Sequence, residues 1–161
     1  MNLRLVLETA IHTILLPGTI LVGIPYVVLS SGDDFQPVRI GMLSVFALIP
    51  IAVGLTIGVW CTRDFISRGR GTPNPLDPPK FLVAGGPYRL TRNPMYVSVG
   101  LILVGEAIVF RSSALAVYLC IVMIGFHLFV VLYEEPTLRA LFGSTYEEYC
   151  KRVPRWIVRA T

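Results

Sequence analysis

The chain has 161 residues, of which 54% are apolar by type and only 15% are charged, with a mean hydropathy of +0.68. Soluble domains usually carry about 25% charged residues, so this composition excludes an ordinary soluble domain and a disordered chain, and the length excludes a separate soluble catalytic domain. The formal net charge is +4 and the three cysteines lie far apart, which predicts neither a disulfide framework nor a metal site. We expect an integral membrane protein without a nucleic-acid partner.

Four apolar stretches approach or reach the length of about 20 residues that crosses a bilayer. They run over about 9–30, 39–60, 94–110 and 112–133. Pro17 and Pro25 predict kinks in the first stretch. The third and fourth stretches are joined by Arg111 and little else, which predicts a tight helical hairpin. The predicted fold class is therefore an all-α integral membrane protein with about four transmembrane helices, forming a single membrane domain over residues 1–161.

The basic residues predict the orientation of these spans. They concentrate in the connector 61–93 and in the tail 134–161, whereas the segment between the first two spans carries Asp33 and Asp34. Cytoplasmic loops of membrane proteins carry an excess of lysine and arginine. We therefore expect a multi-pass protein whose two termini and connector are cytoplasmic.

The connector is the most informative part of the sequence. Between Gly69 and Tyr96 it contains six prolines, which fix the backbone and favour extended geometry: Pro73, Pro75, Pro78, Pro79, Pro87 and Pro94. Gly85-Gly86-Pro87 predicts a sharp turn with close backbone approach. Pro94 suits the first turn of the third helix, where its missing N–H costs nothing.

The tail begins with two adjacent carboxylates, Glu134 and Glu135. Neighbouring side chains on a helix diverge by about 100°, so one can face a pocket while the other faces solvent or an arginine. Gly143 ends the apolar stripe that follows, and Ser144-x-x-Glu147 is a capping-box pattern that predicts the start of another helix. We expect amphipathic C-terminal helices at the inner membrane surface, folded over the connector.

An ordered set of motifs in the second half of the chain resembles the isoprenylcysteine carboxyl methyltransferase family, which is related to the phospholipid N-methyltransferases. The resemblance covers roughly Leu82 to Trp156. Its pieces are Gly86-Pro87-Tyr88-Arg89, Arg92-Asn93-Pro94-Met95-Tyr96, Glu134-Glu135, and Phe142-Gly143-x-x-Tyr146-x-x-Tyr149-x-x-x-Val153-Pro154. The first two predicted spans carry no such signal.

The resemblance implies a membrane methyltransferase that uses S-adenosylmethionine. It also implies a lipophilic acceptor, such as an isoprenylcysteine carboxylate or a lipid, that enters from the bilayer. Arg92 and Glu135 are the catalytic candidates. The residues that the resemblance places around the cofactor are Val83, Gly86, Tyr88, Asn93, Pro94, Tyr96, Glu134 and Glu135. Asn93 stands where the family commonly has a histidine, so the resemblance does not supply an imidazole at this position.

The chemistry of these residue types agrees with that activity. Methyl transfer from a sulfonium has a neutral leaving group, so its main demand is alignment in a dry pocket. Arg92 can bind a carboxylate of the cofactor or of the acceptor. A carboxylate acceptor needs no base, whereas an amine acceptor needs one, for which the candidates are Glu134, Glu135 and His127.

Two other classes of protein stay open at this point. One is an NADPH-dependent membrane reductase, whose extra phosphate Arg89, Arg92 and Arg155 could bind. The other is a small non-enzymatic four-span protein, which would be expected to have charges inside its spans and a featureless connector. The sequence shows the reverse of that pattern, and the methyltransferase is the preferred hypothesis.

Overall fold

The computed structural model describes residues 15–31, 41–69 and 81–156. Within these ranges the regular structure is entirely helical. The helices are α1 (Leu15–Ser31), α2 (Met42–Asp64), α3 (Pro94–Phe110), α4 (Ser113–Phe129) and α5 (Glu135–Arg152). The acidic pair Asp33 and Asp34 and the connector prolines from Pro73 to Pro79 fall outside the described residues.

Two of these helical stretches are long and apolar enough to cross a membrane, Met42–Ser67 and Ser113–Arg152. The apolar helices Leu15–Ser31 and Pro94–Phe110 are shorter, so the arrangement of four spans stays a prediction. Helix α2 also continues beyond residue 60, where the sequence pattern placed the end of the second span. It does so because Cys61, the first connector residue, is fully buried against Val83 and Tyr88.

Small residues allow α2 and α3 to pack closely along their length. A Cβ atom added at Gly54 would lie 2.7 Å from the carbonyl oxygen of Ser98. A Cβ at Gly105, near the other end of the contact, would lie 2.8 Å from the carbonyl oxygen of Ala47. Such contacts between small residues bring helix backbones together in membranes, and here they fix the position of the N-terminus of α3 beside the C-terminus of α2.

The predicted hairpin between α3 and α4 is confirmed. Arg111 adopts the left-handed conformation with φ 50°, and Ser112 caps α4 by accepting a hydrogen bond from the backbone N–H of Leu115 at 3.2 Å. A cap of this kind satisfies one of the free N–H groups of the first helical turn. The turn therefore reverses the chain within two residues.

Three π-helical turns lie in the described residues: Thr19–Gly23, Phe65–Gly69 and Val130–Glu134. The last of them carries α4 directly into α5, so Glu134 lies within a continuous helical path and does not begin a separate tail. The predicted break at Gly143 is present, with φ 51° and ψ −128° inside α5. Single π-turns within helices are frequent at functional sites, which directs attention to the residues around them.

Candidate functional site

The floor of the site is a tight turn, Gly86–Arg89, that packs on the end of α2. Gly86 has φ 57°, and a Cβ atom there would collide with the Asp64 carboxylate and lie 2.9 Å from Trp60 Nε1. Tyr88 is buried, and its carbonyl oxygen accepts a hydrogen bond from the Tyr149 hydroxyl at 2.7 Å. Burial raises the pKa of Tyr88 well above its ordinary value, so this phenol stays neutral.

A buried carboxylate surrounded by arginines lies above this floor. Glu135 is 4% exposed and accepts two hydrogen bonds from Arg155, from Nε at 2.7 Å and from Nη2 at 3.0 Å. Arg92 Nη1 lies 3.0 Å from the same carboxylate, and Arg139 Nη2 lies 3.8 Å from it. The hydrogen bonds to Glu135 raise the pKa of Arg155, which keeps both partners charged. Bidentate pairs of this kind fix orientation as well as charge.

The segment Val153–Trp156, which we name the C-terminal strap, ties the tail to the start of α3. The carbonyl of Arg155 accepts hydrogen bonds from Thr91 Oγ1 at 2.8 Å and from Asn93 Nδ2 at 3.0 Å. The carbonyl of Pro154 accepts one from the backbone N–H of Arg92 at 2.9 Å. The side chain of Asn93 is thus engaged in holding the strap.

The second carboxylate, Glu134, points in a different direction from Glu135, as the helical geometry predicts. Its Oε2 accepts a hydrogen bond from the Tyr96 hydroxyl at 2.7 Å. The Tyr96 ring packs on Phe126 with a centroid distance of 4.6 Å. Nearby, Trp156 Nε1 donates to His127 Nδ1 at 3.1 Å, which engages one nitrogen of the histidine that we considered as a base.

Two cavities of different size adjoin at these residues. The smaller one, of about 40 Å³, lies among Val83, Tyr146, Tyr149 and the carboxylates, and the larger one, of about 750 Å³, extends between α1, α2, α3 and the α4–α5 junction. Both are lined by Phe65, Tyr88, Arg92, Asn93, Glu134 and Leu138. A small cavity bordered by the two carboxylates therefore adjoins a large, mostly apolar one at a shared set of side chains.

The predicted site residues fall into four groups around these cavities. Val83 and Glu135 line only the small cavity, and Tyr96 lines only the large one. The residues predicted for the site that line both cavities are Tyr88, Arg92, Asn93 and Glu134. Gly86 and Pro94 line neither; Gly86 shapes the turn, and Pro94 is buried at the first position of α3.

The sequence reasoning missed the role of Arg155. It treated this residue only as a possible ligand of a phosphate, whereas the structure makes it the bidentate partner of Glu135. The one signal in the sequence is its position directly after the Val153-Pro154 motif. That signal names no partner, because the carboxylate lies twenty residues earlier in the chain.

One donor in the site is left without a partner among the described residues. Arg92 Nε is buried and makes no hydrogen bond there, although Nη1 of the same guanidinium contacts Glu135 and donates to Cys150 Sγ at 2.8 Å. A buried donor without an acceptor is costly, and the Arg92 side chain that carries it is 11% exposed and lines both cavities. The described residues contain no cluster of histidine, cysteine or acidic side chains that could hold a metal ion.

Comparison with known proteins identifies the family of the chain. The family model described as phospholipid methyltransferase matches residues 42–145, which is well over half of the chain. The chain therefore belongs to the phospholipid methyltransferase family, within the group that includes the isoprenylcysteine carboxyl methyltransferases, and the resemblance predicted from the motifs is confirmed. The prediction that the first two spans carry no family signal is wrong for the second span, because the match begins at residue 42. No curated protein and no solved structure matches the chain significantly.

Proposed function

We propose that this member of the phospholipid methyltransferase family transfers a methyl group from S-adenosylmethionine to a lipophilic acceptor at the cytoplasmic face of a membrane. The observation that supports the proposal is that a small cavity bordered by the two carboxylates and a large, mostly apolar cavity share the lining residues Tyr88, Arg92, Asn93 and Glu134. A reaction between a polar cofactor and a membrane-dissolved acceptor needs such a border, because the two molecules must come into contact while water is excluded.

The charged and polar residues at the border of the two cavities fit the cofactor by chemistry. One oxygen of the Glu134 carboxylate accepts a hydrogen bond from the Tyr96 hydroxyl. The carboxylate can still accept a hydrogen bond from an ammonium or ribose group of the cofactor, and its negative charge would attract the sulfonium. Ligand pockets commonly enclose about 300–1,000 Å³, and the small cavity has about 40 Å³. The cofactor would therefore extend into the charged end of the large cavity. Once bound, it supplies an electrophilic methyl group on a positively charged sulfur.

Arg92 and Glu135 have different roles in this proposal. Glu135 is surrounded by Arg92, Arg139 and Arg155, so its oxygens are largely used and its role is to hold the Arg92 guanidinium in place. The Arg92 side chain is 11% exposed and lines both cavities, and its guanidinium would bind a carboxylate of the cofactor or of the acceptor. Its positive charge repels a sulfonium, so we do not assign it a contact with the sulfur.

The large cavity would receive the lipophilic part of the acceptor. It is bordered by apolar side chains such as Leu55, Ile102 and Phe126, and it reaches the charged residues at one end. An acceptor with a carboxylate head would meet Arg92 there without needing a base. Membership in a methyltransferase family disfavours the reductase and the non-enzymatic alternatives.

Calorimetry on the detergent-purified protein tests this proposal. We expect the product S-adenosylhomocysteine to bind and NADPH not to bind. Glu134→Gln should weaken S-adenosylhomocysteine binding by about tenfold or more, since a hydrogen bond to a charged group contributes about 1.5–3 kcal/mol. Glu147→Gln is the matched control, because Glu147 is an exposed glutamate of α5, the helix that directly follows Glu134, and it borders neither cavity. Binding of NADPH alone, or equal affinities in the two variants, would contradict the proposal.

A further inference from the structure

The large cavity has one wall that lies outside the family match. Helix α1 contributes Leu16, Pro17, Ile20 and Leu21 to its lining, whereas the family model begins at residue 42. The side chains that both cavities share all lie in the matched region, whereas the apolar chamber is completed by a helix that the family pattern does not specify. We propose that α1 is the element that selects the apolar part of the acceptor, with Ile20 and Leu21 as its specificity-determining residues; this rests on the function proposed above.

The depth of the chamber suits a hydrocarbon chain of one bilayer leaflet. On α2 its lining extends from Arg63 to Gly54, which is nine residues, or about 13 Å at the helical rise of 1.5 Å per residue. Half of the hydrocarbon core of a bilayer is about 15 Å. A chain whose head lies beside Arg92 therefore reaches the level of Gly54 and Ile102, where a change in the wall alters how much chain the chamber holds.

Local backbone geometry places Ile20 and Leu21 in that wall. Both residues belong to the π-helical turn Thr19–Gly23, and the carbonyl of Ile20 accepts a hydrogen bond from the Tyr118 hydroxyl at 3.0 Å. Tyr118 lies in the first half of α4, whereas Glu134 lies beyond the C-terminal end of that helix. The hydrogen bond thus fixes this turn at the end of the chamber that is remote from the carboxylates.

All three π-helical turns of the described residues border the same cavity. Thr19–Gly23 contributes Ile20 and Leu21, Phe65–Gly69 contributes Phe65, and Val130–Glu134 contributes Glu134. A π-turn widens the helix by one residue and tends to occur where function requires it. Helix α1 therefore has a π-helical turn at the cavity, as do the two segments beside the reacting groups. This shared feature supports the assignment of α1 to the wall of the substrate chamber.

Substitutions in the turn of α1 test the proposal in both directions. Leu21→Trp should shorten the chamber and Leu21→Ala should enlarge it. Val22→Trp is the matched control, because Val22 is the next residue of the same turn, is 67% exposed and does not line the cavity. The probe is a diazirine-labelled fatty alcohol, added to the protein in bilayer nanodiscs. Mass spectrometry measures its crosslinking to the 62–67 segment. The readout is the part of this crosslinking that an excess of unlabelled alcohol suppresses.

We expect Leu21→Trp to reduce this competable crosslinking by about tenfold, in line with the 10- to 200-fold discrimination that small changes in apolar pockets produce. Val22→Trp should leave it unchanged, and Leu21→Ala should shift competition toward longer alcohols. Equal crosslinking in the two tryptophan variants would overturn the proposal, as would loss of S-adenosylhomocysteine binding in Leu21→Trp. Failure of the wild-type protein to bind S-adenosylhomocysteine would instead overturn the proposed function, and the crosslinking result would be read separately from it.

Discussion

Replacement of Arg92 by lysine probes the role of the guanidinium more sharply than its removal does. Lysine keeps the positive charge that Glu135 requires at 3.0 Å, so the buried carboxylate is not left without compensation. What lysine lacks is the planar fork and the Nε donor. In the structure the Arg92 side chain is 11% exposed and lines both cavities, and we assign the donors of its guanidinium that Glu135 does not use to an anionic group of a ligand.

The magnitude follows from that single lost interaction. A hydrogen bond to a charged group contributes about 1.5–3 kcal/mol, and each 1.36 kcal/mol of barrier changes a rate by a factor of about ten. We expect Arg92→Lys to lower methyl transfer at least tenfold. Stability should change little because the ion pair with Glu135 is retained.

The assay measures transfer of the labelled methyl group from radiolabelled S-adenosylmethionine to an extract of membrane lipids and to prenylated cysteine analogues. Arg139→Lys is the matched control: Arg139 faces the same carboxylate at 3.8 Å but is 55% exposed and borders neither cavity. It should retain activity within about twofold, as expected for an exposed ion pair. If Arg92→Lys keeps nearly full methyl transfer, or if both variants lose activity equally, Arg92 acts only as a charge and is not a ligand of the reacting molecules.

Three further predictions concern stability and topology. Arg155→Met should lower the free energy of unfolding in detergent by about 2 kcal/mol, because it removes two charge-assisted hydrogen bonds to a buried carboxylate. The control variant Arg152→Met, at an exposed position, should lower it by less than about 0.5 kcal/mol. Similar losses in the two variants would refute the structural role of the strap. Gly86→Ala should reduce the thermal stability and the yield of folded protein, since φ 57° and the nearby carboxylate of α2 leave no room for a Cβ; wild-type stability would contradict this geometry. An impermeant thiol reagent added to intact cells should modify Asp34→Cys but not Thr72→Cys, and the opposite pattern would reverse the predicted orientation.

Local patterns in the sequence determined the helices and several of their ends. Apolar runs predicted the α3–α4 hairpin, and Gly143 predicted a break that the structure shows. Adjacent positions on one helix predicted that Glu134 and Glu135 point apart, because the turn angle per residue does not depend on distant contacts. The ordered motifs also indicated the family. All of these inferences concern residues that are close in the chain or patterns that recur within it.

Tertiary structure alone decided which side chains share a compartment. Arg155 reaches Glu135 because the strap crosses the start of α3, where Asn93 holds its backbone. The sequence does not specify which residues of the strap lie beside the start of α3. From the sequence alone, Arg155 could therefore equally be assigned to a phosphate. Helix α1 likewise carries no family signal, and its place in the cavity wall depends on packing against α3 and α4. Contacts between segments distant in the chain depend on how the helices pack, and the packing of apolar surfaces is non-directional, so hydropathy alone cannot specify them.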